Sequence, residues 1–266
     1  MKINRQTLTL YKSCLAFALL IPILFVTSCS EPLSDTTDGR LRYWISTLSS
    51  DEYEGRAPGT AGGQLTKNFI SQTFQDLDLE PIDDNYFLDV PTSEITLKDS
   101  SYLTLSFRGN DRKMKTGEEV VFWTKQARDY RKIRDSEVVF VGYGIVAPEY
   151  KWNDYEGLDV KGKTVVILVN DPGFATGKMR LFNGKSMTYY GRWTYKYEEA
   201  ARQGAAAAII VHEEAPAAYP WSVVENSWQG PQLDLQRNDL GADRVTLEGW
   251  IRHDVLDDVL AFTGFN

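Results

Sequence analysis

The residues able to do chemistry are few and widely spread. Two histidines are present, His212 and His253. A zinc site takes three or four ligands from His, Cys, Asp and Glu, often with closely spaced pairs, and neither histidine has a second one near it. His212 closes an apolar run and is followed by Glu213-Glu214. A satisfied or solvent-facing imidazole is the expectation there, and His253, just ahead of a helix start, is the weaker metal candidate. Asp154, Asp159, Asp171 and Glu198 offer carboxylates, but acids beside Gly and Pro mostly form turns and those on helices mostly face solvent. A catalytic pair must also flank one bond. The most suggestive group is Tyr189, Tyr190, Arg192 and Trp193, because an arginine among aromatics presents a rigid fork to a carboxylate or carbonyl. The plainer reading, which we prefer, puts the aromatics in the core and pairs Arg192 with Glu198 or Glu199.

No Gly-x-Ser-x-Gly elbow, phosphate-binding glycine loop or His-Glu-x-x-His pair occurs in the sequence. Gly142-Tyr143-Gly144 lacks the third glycine of a dinucleotide turn and reads as a strand-to-loop turn. The formal net charge is −8. Lys2, Arg5 and Lys12 are the only charges in the first 28 residues, so the rest carries −11, the −8 of the whole less those three cations. Such a surface excludes a basic stripe for nucleic acid.

The elements that must position these residues follow from periodicity. Leu41, Trp44, Ile45 and Leu48 mark a short amphipathic helix, and Thr60 can cap a second one with Leu65, Phe69, Ile70, Phe74 and Leu77 on one face. Between them, Glu54-Gly55-Arg56-Ala57-Pro58-Gly59-Thr60 is a loop. Short runs at Tyr86–Val90, Ile95–Leu97, Leu103–Phe107 and Val120–Trp123 predict strands, expected to be antiparallel. Val138–Val141 and Thr164–Val169 read as buried strands. A helix through Glu198–Arg202 closes at Gly204 and leads into an apolar run, Ala205–Val211, which gives a strand-helix-strand crossover. A polar loop over Glu213–Asn238, a strand over Val245–Ile251 and a helix capped by Asp254 and closed by Gly264 complete the pattern.

The first thirty residues read as a targeting segment. A basic start precedes the apolar run Cys14–Val26, short of the ~20 residues of a permanent span. Val26-Thr27-Ser28-Cys29 resembles the bacterial lipoprotein box, which implies lipid attachment at Cys29, export and an outer-membrane anchor facing periplasm or cell surface. With Cys14 inside that run, a disulfide framework or thiolate metal site is excluded for the mature chain.

Taken together, the motifs resemble a family. Glu54–Thr60 with its following helix resembles the opening of the zinc aminopeptidases of metallopeptidase family 28. Val141-Gly142-Tyr143-Gly144, Asp159-Val160-Lys161-Gly162-Lys163, Asn170-Asp171-Pro172-Gly173 and Ala200-Ala201-Arg202-Gln203-Gly204-Ala205 resemble the protease-associated domain inserted in many of them. The resemblance implies an α+β chain: signal 1–28, tether 29–39, start of an α/β zinc-exopeptidase domain 40–107, β-rich protease-associated domain with a crossover helix 108–245, and start of a return to the peptidase domain 246–266. It also implies peptide substrates and two zinc ions in the full-length enzyme. The ligands and general-base Glu lie after the inserted domain, and the expected His-x-Asp motif does not occur here, so no residue of this chain receives a metal or catalytic role. Arg192 and Tyr190 become candidate substrate contacts. The expectation is the amino-terminal portion of an exported aminopeptidase, inactive alone, with a non-catalytic, surface-tethered peptide- or protein-binding lipoprotein as the alternative. The two amino-terminal helices are expected to be loosely packed or covered by self-association.

Overall fold

The computed structural model describes residues 37–264, so Cys29 and the leader around it lie outside the described residues. The chain divides into two compact units, one ending at Asp89 and the other beginning at Val90.

In the first unit, α1 (Thr37–Leu48) leads through a 3-10 segment (Asp51–Arg56) to α2 (Ala61–Asp76). Glu54, Gly55 and Arg56 all take left-handed backbone, which turns the chain sharply, and the Arg56 guanidinium donates to the Leu48 carbonyl. Thr60 caps α2, its Oγ1 accepting from the Gly63 N–H at 3.1 Å. The two glycines that follow are required by close approach. A Cβ on Gly62 would sit 2.0 Å from the Tyr53 carbonyl oxygen, and one on Gly63 2.3 Å from that of Ala57. Tyr43 and the buried Tyr53 flank the Phe69 ring at 6.0 and 6.2 Å. Around this small cluster the other apolar side chains stay open: Leu41, Leu65, Ile70, Phe74 and Leu77 are exposed, and Ile45 reaches 66%. Tyr86–Val90, expected as a strand, forms none, and Phe87, Leu88 and Val90 are exposed, so no partner strand or core holds them.

The second unit is mixed α/β. In chain order it contains β1 (Thr92–Ile95), β2 (Thr104–Phe107), β3 (Asn110–Lys113), β4 (Val120–Trp123), β5 (Val138–Phe140), β6 (Val146–Ala147), β7 (Trp152–Asn153) and β8 (Thr164–Leu168). Helices α3 (Pro172–Thr176) and α4 (Trp193–Arg202) precede β9 (Ala207–His212). Then come α5 (Glu214–Ala217), α6 (Trp221–Ser227), β10 (Gln232–Leu235), β11 (Leu247–Arg252) and α7 (His253–Thr263). The central sheet is ordered β4-β11-β9-β8-β5, with β5, β8, β9 and β11 parallel and β4 antiparallel at one edge. Three antiparallel pairs stand outside it, β2 with β3, β6 with β7 and β1 with β10. The segment from 246 onward, which its sequence marks as a return to another domain, supplies β11 between β4 and β9 and the helix that packs on them.

Alternation sorts the strand residues onto two faces. Val121, Trp123, Val165, Ile167, Ala208, Ile210 and Trp250 form one core with Tyr197 and Ala200 of α4. The alanines at the start of β9 let that helix lie close. Val120, Phe122, Ile209, Val211 and Ile251 form the other with Val255, Leu256 and Val259 of α7. That second face is covered unevenly. Val138 and Phe140, on the edge strand β5, remain 49% and 57% exposed. The expected polar loop over 213–238 instead holds α5, α6 and β10. Tertiary contacts explain the difference: Val224 is buried in the first core, and β10 finds its partner β1 more than a hundred residues earlier in the chain, which no local pattern announces.

Candidate functional site

All four parallel strands end on one side of the sheet, and ligands of open parallel sheets bind in the crevice beyond the carboxyl ends. Two adjoining clefts lie there. The larger, about 430 Å³, sits beyond β9 and β11 and is lined by His212, Glu213, Glu214, Ala215, Pro216, Trp221, Arg252, His253 and Asp254. The smaller, about 240 Å³, sits beyond β8 and is lined by Tyr143, Leu168, Val169, Asn170, Asp171, Phe174 and Ala175, sharing Glu213, Ala215 and Pro216 with the first.

In the larger cleft His212 ends β9 and is buried against the rings of Tyr219, Trp221 and Trp250, with centroids at 5.6, 5.6 and 6.0 Å. Its Nε2 lies 3.1 Å from the Tyr219 carbonyl oxygen. A carbonyl only accepts, so this contact is satisfied when Nε2 carries the proton. Burial holds the imidazole below its usual range, opposed by the Tyr219 carbonyl and by Glu214 and Glu213, so the ring is neutral near pH 7. This is the satisfied histidine expected from sequence. Across the cleft, Arg252 is held by Asp254, with Nε 3.0 Å from Oδ1 and a second bond through Nη2, and donates from Nη1 to the Glu118 carbonyl at 3.2 Å. His253 Nδ1 lies 3.4 Å from Glu213 Oε1. Trp221 Nε1 donates to the Gly117 carbonyl at 2.8 Å. Among the described residues no three His, Cys, Asp or Glu side chains converge as a metal site.

The smaller cleft is held by a residue that no motif singles out. Lys196 is fully buried in α4, and its Nζ donates to the Tyr143 carbonyl at 2.6 Å and to the Asn170 carbonyl at 2.8 Å. It thereby ties the Gly142–Gly144 turn to the turn after β8. Burial pushes its pKa down to about 7, against the pull of Asp154 and Asp171. Helical spacing holds the signal, since Lys196 is three residues after Trp193 and four before Ala200, on the face that packs inward. Of the neighbouring acids, Asp159 and Asp171 act as turn formers, as expected, while Asp154 ties its loop back to Ile145. Asp154 Oδ2 accepts from Ile145 N–H, Asp159 Oδ1 from Lys161 N–H, and the buried Asp171 from Gly173 N–H and from both donors of Thr188. Glu198 accepts from the Tyr189 hydroxyl at 2.8 Å.

Tyr190 and Arg192 line neither cleft. The Tyr190 hydroxyl donates to Glu149 Oε1 at 2.6 Å, a bond that pushes its pKa up to about 12, and its ring packs edge-on against Tyr195 and Phe182. Arg192 is exposed at the N-cap of α4. The partners expected for it are engaged elsewhere, because Glu199 is held by Arg202 and Gln203, and Glu198 by Tyr189.

No protein-family model matches the chain, and no curated protein matches it. Among solved structures it is similar to an aminopeptidase from Aneurinibacillus sp. strain AM-1, with 19% identity and a TM-score of 0.34 over 83% of this chain. The chain spans 42% of that protein's length. Among the described residues no helix is long and apolar enough to cross a membrane.

Proposed function

We propose that this chain is the amino-terminal portion of an exported, lipid-anchored zinc aminopeptidase. Residues 40–107 would begin the peptidase domain, and 108–245 would form a protease-associated domain. The observation that carries the proposal is the state of the first unit. Its two helices expose one apolar side chain after another, from Leu41 and Ile45 to Leu65, Ile70, Phe74 and Leu77, as helices do when built to lie on a sheet. The order of the sequence motifs from Glu54 to Ala205 supports the same reading. Two zinc ions would then be held by residues beyond this chain, and hydrolysis by a metal-activated water would need them. Arg192 and Tyr190, just before α4, would be the peptide contacts. The test is the coding sequence that follows Asn266, together with metal content and turnover of aminoacyl reporters by the longer product. A following His-x-Asp motif, with bound zinc and chelator-sensitive turnover, is expected. Its absence in every reading frame would overturn the proposal.

The two clefts favour a second reading, a surface-tethered module that holds peptide without cleaving it. In that case this chain alone binds peptide, and no zinc is found in the native protein.

A further inference from the structure

We propose that the open edge of the central sheet, strand β5, pairs antiparallel with β5 of a second copy of this chain. The inference goes beyond either reading of function, because it rests on how differently the two edges of one sheet are finished.

At one edge, β4 is covered: Val120, Val121, Phe122 and Trp123 are all buried. At the other, β5 is bare. Val138 and Phe140 point to the same face and are both exposed, while Val139 between them packs into the first core. Beside them on β8, Val166 and Leu168 are only partly buried.

The backbone is open as well. Thr164 N–H donates to the Glu137 carbonyl at 2.9 Å and Val141 N–H to the Val166 carbonyl at 3.1 Å, so the backbone groups of Val139 between them face β8. Alternation turns the N–H and C=O of Val138 and Phe140 outward, where no described residue bonds them. Natural sheets blunt such an edge with lysine, proline or a bulge, and Val138-Val139-Phe140 has none of these.

These outward groups define the occupant. It must be an extended strand, without charge or proline, carrying apolar side chains at alternate positions on one face. Strand β5 itself meets every requirement. With Val139 on the two-fold axis, Val138 lies opposite Phe140 of the second copy, and each of these residues gives and takes one hydrogen bond. Their side chains then meet on the face that α7 leaves open. The nearest charge, Glu137, is held by Lys163 of its own chain at 2.9 Å. It falls opposite Val141 of the second copy, so no like charges face each other across the seam. A foreign peptide laid on β5 would leave its own outer edge bare. The second copy leaves none, since the joined sheet ends at a buried β4 on both sides.

The test follows the oligomeric state of the full chain by sedimentation from micromolar to millimolar concentration, with amide exchange resolved to single residues. A reversible dimer is expected, in which the Val138 and Phe140 amides gain protection as concentration rises. The Val139 amide, facing β8, should be protected throughout. Phe140→Lys keeps the backbone and sets two lysines on one face of the seam. Phe140→Pro removes an N–H that points away from β8, a change that an edge strand tolerates. Each should weaken the dimer about tenfold or more, without moving the unfolding midpoint at micromolar concentration. Ile45→Ser, in the first unit, should leave the dimer unchanged. A monomer at millimolar concentration, protection of Val138 and Phe140 that does not follow concentration, or a dimer that survives both Phe140 variants would each overturn the inference. None of these outcomes depends on zinc or turnover, so failure of the peptidase proposal leaves them as they stand.

Discussion

Both units contain amphipathic helices, but their apolar faces reach different ends. In the second unit, β8, β9 and β11 are covered on one face by α4 and on the other, along β9 and β11, by α7, and Val165, Ile167 and Ile210 have no exposed surface. In the first, α1 and α2 bury Tyr53 and little else of comparable size, and Ile45 is more exposed than covered. Amphipathic pattern therefore reports what a face is made for, and burial reports whether it has been used. Helices gain most of their stability from packing that face, not from intrinsic propensity.

That contrast can be tested by substitution. The largest effect belongs to the sheet: Ile210→Ala removes a fully buried side chain between α4 and β9 and should cost about 2–5 kcal/mol by chemical denaturation. A cost under about 1 kcal/mol would show that the sheet is as loosely packed as the first unit. Next comes Lys196→Met, which keeps the apolar stem and removes the ammonium. It strands the Tyr143 and Asn170 carbonyls at about 1–3 kcal/mol each, and should loosen both turns in amide-exchange measurements.

A smaller, pH-dependent effect is expected at Glu248. Its carboxyl is buried beside Trp123, whose Nε1 donates to Oε2 at 3.0 Å, while Oε1 has no partner among the described residues. Burial raises its pKa, with Lys125, the Trp123 bond and Arg244 pulling the other way. A carboxyl whose folded pKa is raised gives its full stability below the usual carboxylate range and loses it as pH climbs through the folded value. Glu248→Gln should therefore match the parent at pH 4 and exceed it progressively toward pH 8 in unfolding midpoint. A constant difference across that range would mean that the carboxyl is not strained by ionisation. The smallest effect is Ile45→Ser, within about 0.5 kcal/mol, because little of that side chain leaves solvent.

Periodicity alone makes the amphipathic helices, the Thr60 cap, the buried strands around α4 and the left-handed turn at Gly264 legible in the sequence. Those features depend on residues close along the chain. The pairing of β1 with β10 and the insertion of β11 beside β4 depend on partners a hundred residues apart, so local pattern is silent on both. The same limit applies to the candidate site. Nearby glycine and proline mark Asp159 and Asp171 as turn formers, and their bonds to residues two positions on agree, whereas Asp154 reaches back to Ile145. The cleft itself has no local signature, because it is made where strand ends from 168, 212 and 252 meet. His212 is legible as a satisfied histidine, but the Tyr219 carbonyl that satisfies it is identified only by the fold.

Amide hydrogen exchange on the purified monomer, resolved to single peptides, tests the contrast between the units most directly. Partial exposure of a packed element lowers the free energy of its local opening. Helices α1 and α2 are expected to exchange through small openings, well before β8, β9 and β11, and a binding partner or self-association covering the apolar face is expected to slow them. Protection of α1 and α2 equal to that of the central strands, independent of protein concentration, would show that these helices are complete as they stand and would contradict the account.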